Sequence, residues 1–297
     1  MSALSLLEFV ARHPVNQGRK LQAFWRLACW QIASRLVAGD IVFDWINGAR
    51  FLVRAGETGL TGNIYGGLQE FTDMAFLLHL LRRGDFFVDV GANAGSYTIL
   101  ACAAVGAHGC AIEPVPETFR RLVENMRINH LDASVQCVNV GIGSAPGTLR
   151  FSSDMDTGNR ALAEGEQRAG GIDVPATTLD ALLAGRSPRL IKIDVEGYEP
   201  AVLAGAGATL ADPALQAVIM EVNGSGEKYG FSESYLFETM TAHGFQACTY
   251  LPVERRLVDA QPNAPRGTDN TIFVRDIDAV RHRLRDAAPF SVNGKRF

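Results

Sequence analysis

FFVDVGANAG, residues 86–95, decides how the rest of this chain is read. Its apolar run predicts a buried strand over residues 86–90, and Gly91 and Gly95 let the backbone turn sharply before a helix starts near Ser96. Strand, glycine turn and helix in that order make a nucleotide-type binding loop. The spacing from Gly91 to Gly95 is GxxxG, however, where the dinucleotide fingerprint requires GxGxxG. That departure disfavours NAD and points toward another adenosine ligand, S-adenosylmethionine.

Downstream, the pattern alternates between strand and helix, which implies a parallel sheet with helices on both faces. Strands are expected at residues 86–90, 108–113, 135–140, 189–194 and 216–222, with helices near 95–105, 116–129, 198–210 and 232–243. Residues 245–251 and 270–275 read as a closing antiparallel pair. Between the third and fourth strands lies an insertion, residues 143–174, with one short strand at 148–151 and the polar tract SSDMDTGNRALAEGEQRAGG. Loops of that length are usually lids or binding loops, or else disordered. Upstream, residues 40–55 alternate around Asn47-Gly48, a strong hairpin signal because both turn positions need positive φ. The segment NIYGGLQEF, residues 63–71, leads into a helix over 70–82, and the charged tail carries a short helix over 278–285.

In an open parallel sheet, ligands bind outside the carboxyl ends of the strands. Four acids converge on that rim, with Asp89, Glu113, Asp194 and Glu221 closing the first, second, fourth and fifth strands. Glu113, about twenty residues beyond the glycine loop, is placed to accept hydrogen bonds from both hydroxyls of a ribose. Pro114 fixes the chain as it leaves the strand. Such an acid serves NAD and S-adenosylmethionine alike, so it identifies an adenosine and not the cofactor.

DVGANAG at 89–95, EPVPETF at 113–119, KIDVEGYE at 192–199 and a late strand opened by Asn270 together resemble the FkbM family of S-adenosylmethionine-dependent methyltransferases. The likeness covers residues 65–274. It implies an α/β class I methyltransferase fold, a Rossmann-like seven-stranded sheet of order 3-2-1-4-5-7-6 with strand seven antiparallel, here preceded by a helical and hairpin extension. It also implies O-methylation of a hydroxyl, often on a sugar or natural product. By position, Asp89, Gly91, Ala92, Asn93 and Gly95 match the loop that holds the methionine part of the cofactor, and Glu113 with Pro114 matches the ribose acid. Asn139 and Gly141 fall in the segment that covers the adenine; no acid stands there, so backbone amides are expected to recognise the base. Glu70 matches a glutamate that commonly precedes the first strand, or else simply favours the dipole of the helix it opens.

Methyl transfer to oxygen is an in-line displacement from a sulfonium, so the protein must align a hydroxyl and remove its proton. Asp194 is the expected general base. Glu196 shares its rim only if the strand has already broken into a turn at Glu196-Gly197, and Glu221 is the alternative base or a group that positions the acceptor. Against these roles stands the common fate of carboxylates after strands, which cap helices and satisfy backbone amides. Asp156, Thr157 and Asn159 of the polar insertion can hydrogen-bond a sugar; a surface loop is the plainer reading. No histidine falls in a motif, and without one, or a third acid at fixed spacing, no metal site is expected.

The bulk numbers narrow the class. A net charge of -4 argues against a broad phosphate-binding surface, and hence against a nucleic-acid partner. Five scattered cysteines without a CxxC pair suit buried thiols in a reducing compartment. The start of the chain is a poor secretory signal, and no stretch reaches the roughly 20 apolar residues of a membrane span, so a cytoplasmic protein is expected. Within residues 19–37, Leu21, Phe24, Trp25, Ala28, Ile32 and Leu36 share one helical face, with Arg19, Lys20, Arg26 and Arg35 elsewhere. That face either packs on the following domain or makes peripheral contact with an anionic membrane. The expected division is an extension over residues 1–64, a methyltransferase domain over 65–276 and a tail over 277–297. The leading function is an O-methyltransferase for a glycan, glycolipid or secondary metabolite. The alternatives are an NAD(P)-dependent oxidoreductase and a non-catalytic, membrane-associated binding protein of the same fold.

Overall fold

Val88, Val90, Ile112, Ile191, Ile193 and Val218 are all essentially inaccessible to solvent, which explains why their strands are near-continuous apolar runs and not alternating ones. The computed structural model describes residues 3–57, 59–152, 159–162, 166, 170–260 and 270–297. The chain opens with α1 (Ala3–Arg12) and α2 (Lys20–Leu36), a hairpin of β1 (Ile41–Asp44) and β2 (Arg50–Val53), then α3 (Thr61–Gly66) and α4 (Phe71–Leu80). There follow β3 (Phe86–Val90), α5 (Ser96–Ile99), β4 (His108–Ile112), α6 (Pro116–Ile128), β5 (Val135–Val138), β6 (Gly141–Ile142), β7 (Gly147–Phe151) and β8 (Ile172–Thr177). Next come α7 (Leu179–Leu183), β9 (Leu190–Ile193), α8 (Glu199–Ala204), α9 (Gly207–Ala211), β10 (Ala217–Glu221) and α10 (Glu233–Ala242). The chain closes with β11 (Gln246–Leu251), β12 (Arg256–Asp259), β13 (Asn270–Val274), α11 (Ile277–Arg285), β14 (Ser291–Val292) and β15 (Lys295–Arg296).

The main sheet has the order β12-β11-β13-β10-β9-β3-β4-β5. Strands from β10 to β5 are parallel, and β13 runs antiparallel to both β10 and β11. It contains eight strands where the resemblance implies seven, because β12 pairs with β11 at the edge. The turn into β12 ends on Arg255 at φ 50, a position without the glycine or asparagine that marks a hairpin in sequence. A second, three-stranded sheet of order β6-β8-β7 brackets the insertion. Its central strand β8 is absent from the sequence reading; Pro175, paired with Thr148, argues against a strand there.

The helix expected over 198–210 is two, α8 and α9, parted at Gly205, where a Cβ would lie 2.1 Å from the Gly143 carbonyl oxygen. The hairpin turn at Asn47 and Gly48 takes φ 54 and 82, as its residue types require. Val10, Trp30 and Phe51 of the N-terminal segment share one hydrophobic cluster with Phe87 and Ile219 of the sheet. The face by which α2 joins that cluster differs from the expected one. Ala23, Leu27, Trp30 and Ser34 are buried, whereas Leu21, Trp25, Ile32 and Leu36 are exposed. Arg26 anchors this orientation by donating to Asn16 Oδ1 at 2.8 Å and Tyr65 O at 3.2 Å. Among the described residues, no helix is long and apolar enough to cross a membrane.

Candidate active site

The turn after β3 is shaped by close approach. Gly91 has φ +81, and a Cβ there would lie 1.8 Å from the Asp194 carbonyl oxygen, so only glycine lets the ends of β3 and β9 meet. Gly91 N and Ala92 N both donate to Ile112 O, and Asn93, at φ 51, uses its Oδ1 to accept from Ala94 N at 2.7 Å. At Gly95 a Cβ would meet Leu122 Cδ1 at 2.7 Å, so this glycine seats the start of α5 against α6.

Asp89 lies beneath that turn. Its Oδ2 accepts from Thr98 Oγ1 at 2.6 Å and Thr98 N at 3.1 Å, which ties β3 to α5, and burial pushes its carboxyl up to about 6. Glu113 faces the loop from β4. Its Oε2 accepts from Asn93 N at 3.0 Å and its Oε1 from Val115 N at 2.9 Å, while burial raises it to about 7. A carboxylate has about four acceptor positions, so each oxygen keeps one for a ligand hydroxyl.

These residues border a cavity of about 520 Å³. Of the candidate site residues, Glu70, Asp89, Gly91, Ala92, Asn93, Glu113, Pro114, Asn159, Asp194, Glu196 and Glu221 line it. Gly95, Asn139 and Gly141 do not line it. The Asn139 amide instead donates to Glu113 O and Pro114 O, both at 2.8 Å, and joins the ends of β4 and β5. Gly141 sits in β6, where a Cβ would come within 3.1 Å of Phe151 Cε2. Asp156 and Thr157 lie outside the described residues. A smaller cavity of about 350 Å³ shares Gly59, Asn93, Thr118 and Asn159 with the first and reaches Arg54 and Arg121.

Opposite Glu113, a buried lysine organises the acids. Lys192 Nζ donates to Asp194 Oδ2 and to Asn270 Oδ1, both at 2.9 Å. The Asn270 amide in turn donates to Glu70 Oε1 at 3.0 Å and Asp73 Oδ2 at 3.1 Å, and Tyr97 Oη donates to Glu70 Oε2 at 2.7 Å. Burial opposes the charge on Lys192, but the carboxylates of Asp194, Glu70 and Asp73 outweigh it and hold the ammonium above its ordinary range. Lys192 and Tyr97 line the cavity and Asp73 joins their network, and the sequence reading passes over all three. A lysine between Ile191 and Ile193 in a buried strand is itself a signal, because lysine is almost never fully buried unless paired.

The rim turn beyond β9 meets the condition set for Glu196. The strand ends at Ile193, Glu196 and Gly197 take φ 57 and 97, and Glu196 lines the cavity. Glu199, also unmarked in the sequence reading, fixes this turn, its Oε1 accepting from Val195 N and Gly197 N at 3.1 Å each. Glu221 accepts from Asn223 Nδ2 through Oε1, and its Oε2 is buried with no hydrogen-bond partner among the described residues. Burial first, then the charges of Asp194, Glu196 and Glu199, push it up to about 9. These causes favour its protonated form. Among the described residues, no group of three or more His, Cys, Asp or Glu side chains is arranged to hold a metal ion.

The sheet, with its glycine turn after β3 and carboxylate after β4, is an α/β fold whose strand order contains the one the resemblance implies, with β12 added at the edge. A family model described as the methyltransferase FkbM domain matches residues 89–247, more than half of the chain, and the chain belongs to that family. It is 29% identical over 150 residues to the hexuronic acid methyltransferase AglP of Haloferax volcanii, a match covering 50% of this chain and 59% of that one. It is 28% identical over 169 residues to the methyltransferase sdnD of Sordaria araneosa, covering 46% of this chain and 65% of that one. The chain thus spans less than two thirds of the length of either relative. Among solved structures, the methyltransferase FkbM of Methylobacillus flagellatus KT is similar at a TM-score of 0.45 and 15% identity, covering 72% of this chain and 52% of that one.

Proposed function

We propose that the protein is an S-adenosylmethionine-dependent O-methyltransferase acting on a hydroxyl of a sugar, glycolipid or secondary metabolite. The observation that carries this reading is the Lys192–Asp194 ion pair at the rim of the cavity that Glu113 also lines. The donor chemistry fits the cofactor. Glu113 keeps one acceptor position on each oxygen for the two ribose hydroxyls, and the acids Glu70 and Asp194 suit a cationic sulfonium. When bound, S-adenosylmethionine supplies an electrophilic methyl group.

The chain's own residues then handle the acceptor. Asp194 takes the proton of the attacking hydroxyl, and Lys192 and Asn270 hold that carboxylate in one orientation. Glu221, protonated at neutral pH, donates from Oε2 to an acceptor oxygen and so orients it. The relative named for hexuronic acid supports a sugar as the acceptor. The test is calorimetry with S-adenosylhomocysteine together with transfer of labelled methyl groups from S-adenosylmethionine to a panel of sugars and glycolipids. Binding and labelling are expected; absence of binding, or binding of NADH in its place, overturns the reading.

A further inference from the structure

Leu21, Trp25, Ile32 and Leu36 are 88, 71, 60 and 80% exposed on α2, while Ala23, Leu27, Trp30 and Ser34 on its other side are buried. At about 100° per residue the four exposed side chains fall within about 60° of one another, in one stripe along the helix. A helix already buried on one side gains nothing in folding from a tryptophan and three large aliphatic residues on the other. Helix α1, which packs against α2, adds Leu4 and Leu7 to the exposed apolar surface.

The charge around this stripe identifies what covers it. Residues 1–37 hold five Lys or Arg against one acid, Glu8, in a chain of net charge -4. Arg12, Arg19, Lys20 and Arg35 are exposed. Arg12 pairs with Glu8, Arg35 borders the stripe at about 40° round the helix from Leu21, and Arg19 and Lys20 stand at the start of the helix. The remainder of the chain carries a net negative charge. In a two-fold pairing of this face with a second copy, these cations would approach cations. Anionic headgroups answer both the charge and the apolar stripe, and a tryptophan at their level is favoured. We propose that the outer face of α2 docks this protein on an anionic lipid surface, independently of the chemistry at the rim.

The full chain is to be sedimented with vesicles of phosphatidylcholine alone or mixed with phosphatidylglycerol. It is expected to follow the mixed vesicles, to bind the neutral ones far less, and to be released by high salt. Combined Leu21→Gln, Trp25→Gln and Ile32→Gln substitutions, all at exposed positions, should lower the bound fraction by about tenfold with an unchanged melting temperature. Trp25→Gln alone should give part of that loss. Tryptophan emission should shift to the blue on addition of mixed vesicles, and Trp25→Phe should abolish the shift, since Trp30 is already buried and Trp45, half-buried, is held in the fold by donation from its Nε1 to Gly67 O. Equal binding by wild type and the triple variant, or no binding by wild type, overturns the proposal. So does a wild-type dimer that the triple variant dissociates in sedimentation equilibrium, which would make the face an interface between copies.

Discussion

Lys192 donates to Asp194 across the boundary between core and cavity: the lysine side chain is 2% exposed and the aspartate 36%, with 2.9 Å between Nζ and Oδ2. The cation is committed, since its other bond goes to Asn270 inside the sheet, next to Glu70 and Asp73. Lys192→Met would leave these acids without their counter-charge. Removing one partner of a buried pair costs about 3–5 kcal/mol. A fall of that size in urea unfolding is expected, and an unchanged midpoint would show that the network does not depend on the lysine.

Asp194→Asn separates binding from turnover. Asparagine keeps an oxygen for Lys192 Nζ, so affinity for S-adenosylhomocysteine should stay within a few-fold of wild type in calorimetry. The rate of methyl transfer should drop by about 10²–10⁴, the usual contribution of a general base. Full turnover in this variant would remove Asp194 as the base.

Glu221 makes stability depend on pH with a definite sign. Its carboxyl is raised from 4.5 to about 9 in the fold, so the folded state retains a proton that the unfolded chain releases in between. The stabilisation from this group is complete below the unfolded value and is lost as pH rises through about 9. Asp89 and Glu113, raised to about 6 and about 7, act in the same direction over narrower windows. Melting temperatures measured from pH 5 to 9 should therefore decline for the wild type and decline less for Glu221→Gln. Parallel curves for the two proteins would count against a protonated Glu221.

The parallel part of the sheet is legible in sequence because its strands are buried on both sides and end in acids or glycines. Asp89, Glu113, Asp194 and Glu221 stand at such ends, and the cavity gathers all four. What sequence conceals is set by tertiary contact. Helix α2 shows its apolar stripe to solvent because Arg26 reaches inward to Asn16 and the Tyr65 carbonyl, a preference no periodicity contains. Pro175 hides β8, and Arg255 hides the turn into β12. Asn139 stands in the segment that the resemblance assigns to the adenine, and the bonds of its side-chain amide to two carbonyl oxygens of the neighbouring strand end have no motif to announce them.

Two glycines at nearly the same φ test whether the β3 turn is constrained by backbone conformation or by space. Gly91 and Gly84 have φ +81 and +83, but a Cβ on Gly84 meets nothing within 4 Å whereas one on Gly91 strikes the Asp194 carbonyl. Gly84→Ala should cost only the left-handed penalty, about 1–2 kcal/mol. Gly91→Ala must displace the end of β9 as well, so a loss above about 4 kcal/mol is expected, together with loss of S-adenosylhomocysteine binding. Similar unfolding curves for the two variants would refute the close approach of β3 and β9.

Glu113→Gln tests the proposed ribose acid against its neighbour Asn139. Both Glu113 oxygens accept backbone amides, from Asn93 and Val115, and a glutamine can offer only one oxygen to that pair. One buried N–H then faces a donor, at a cost of about 1–3 kcal/mol, and one acceptor for the ligand diol is lost as well. Affinity for S-adenosylhomocysteine should therefore fall at least tenfold in calorimetry. Asn139→Ala also removes two hydrogen bonds, but from a side chain that does not line the cavity. It should lower the melting temperature while leaving that affinity within a few-fold of wild type. If both variants lose affinity equally, the effect travels through the fold of the β4 end, and Glu113 has no direct part in holding the ligand.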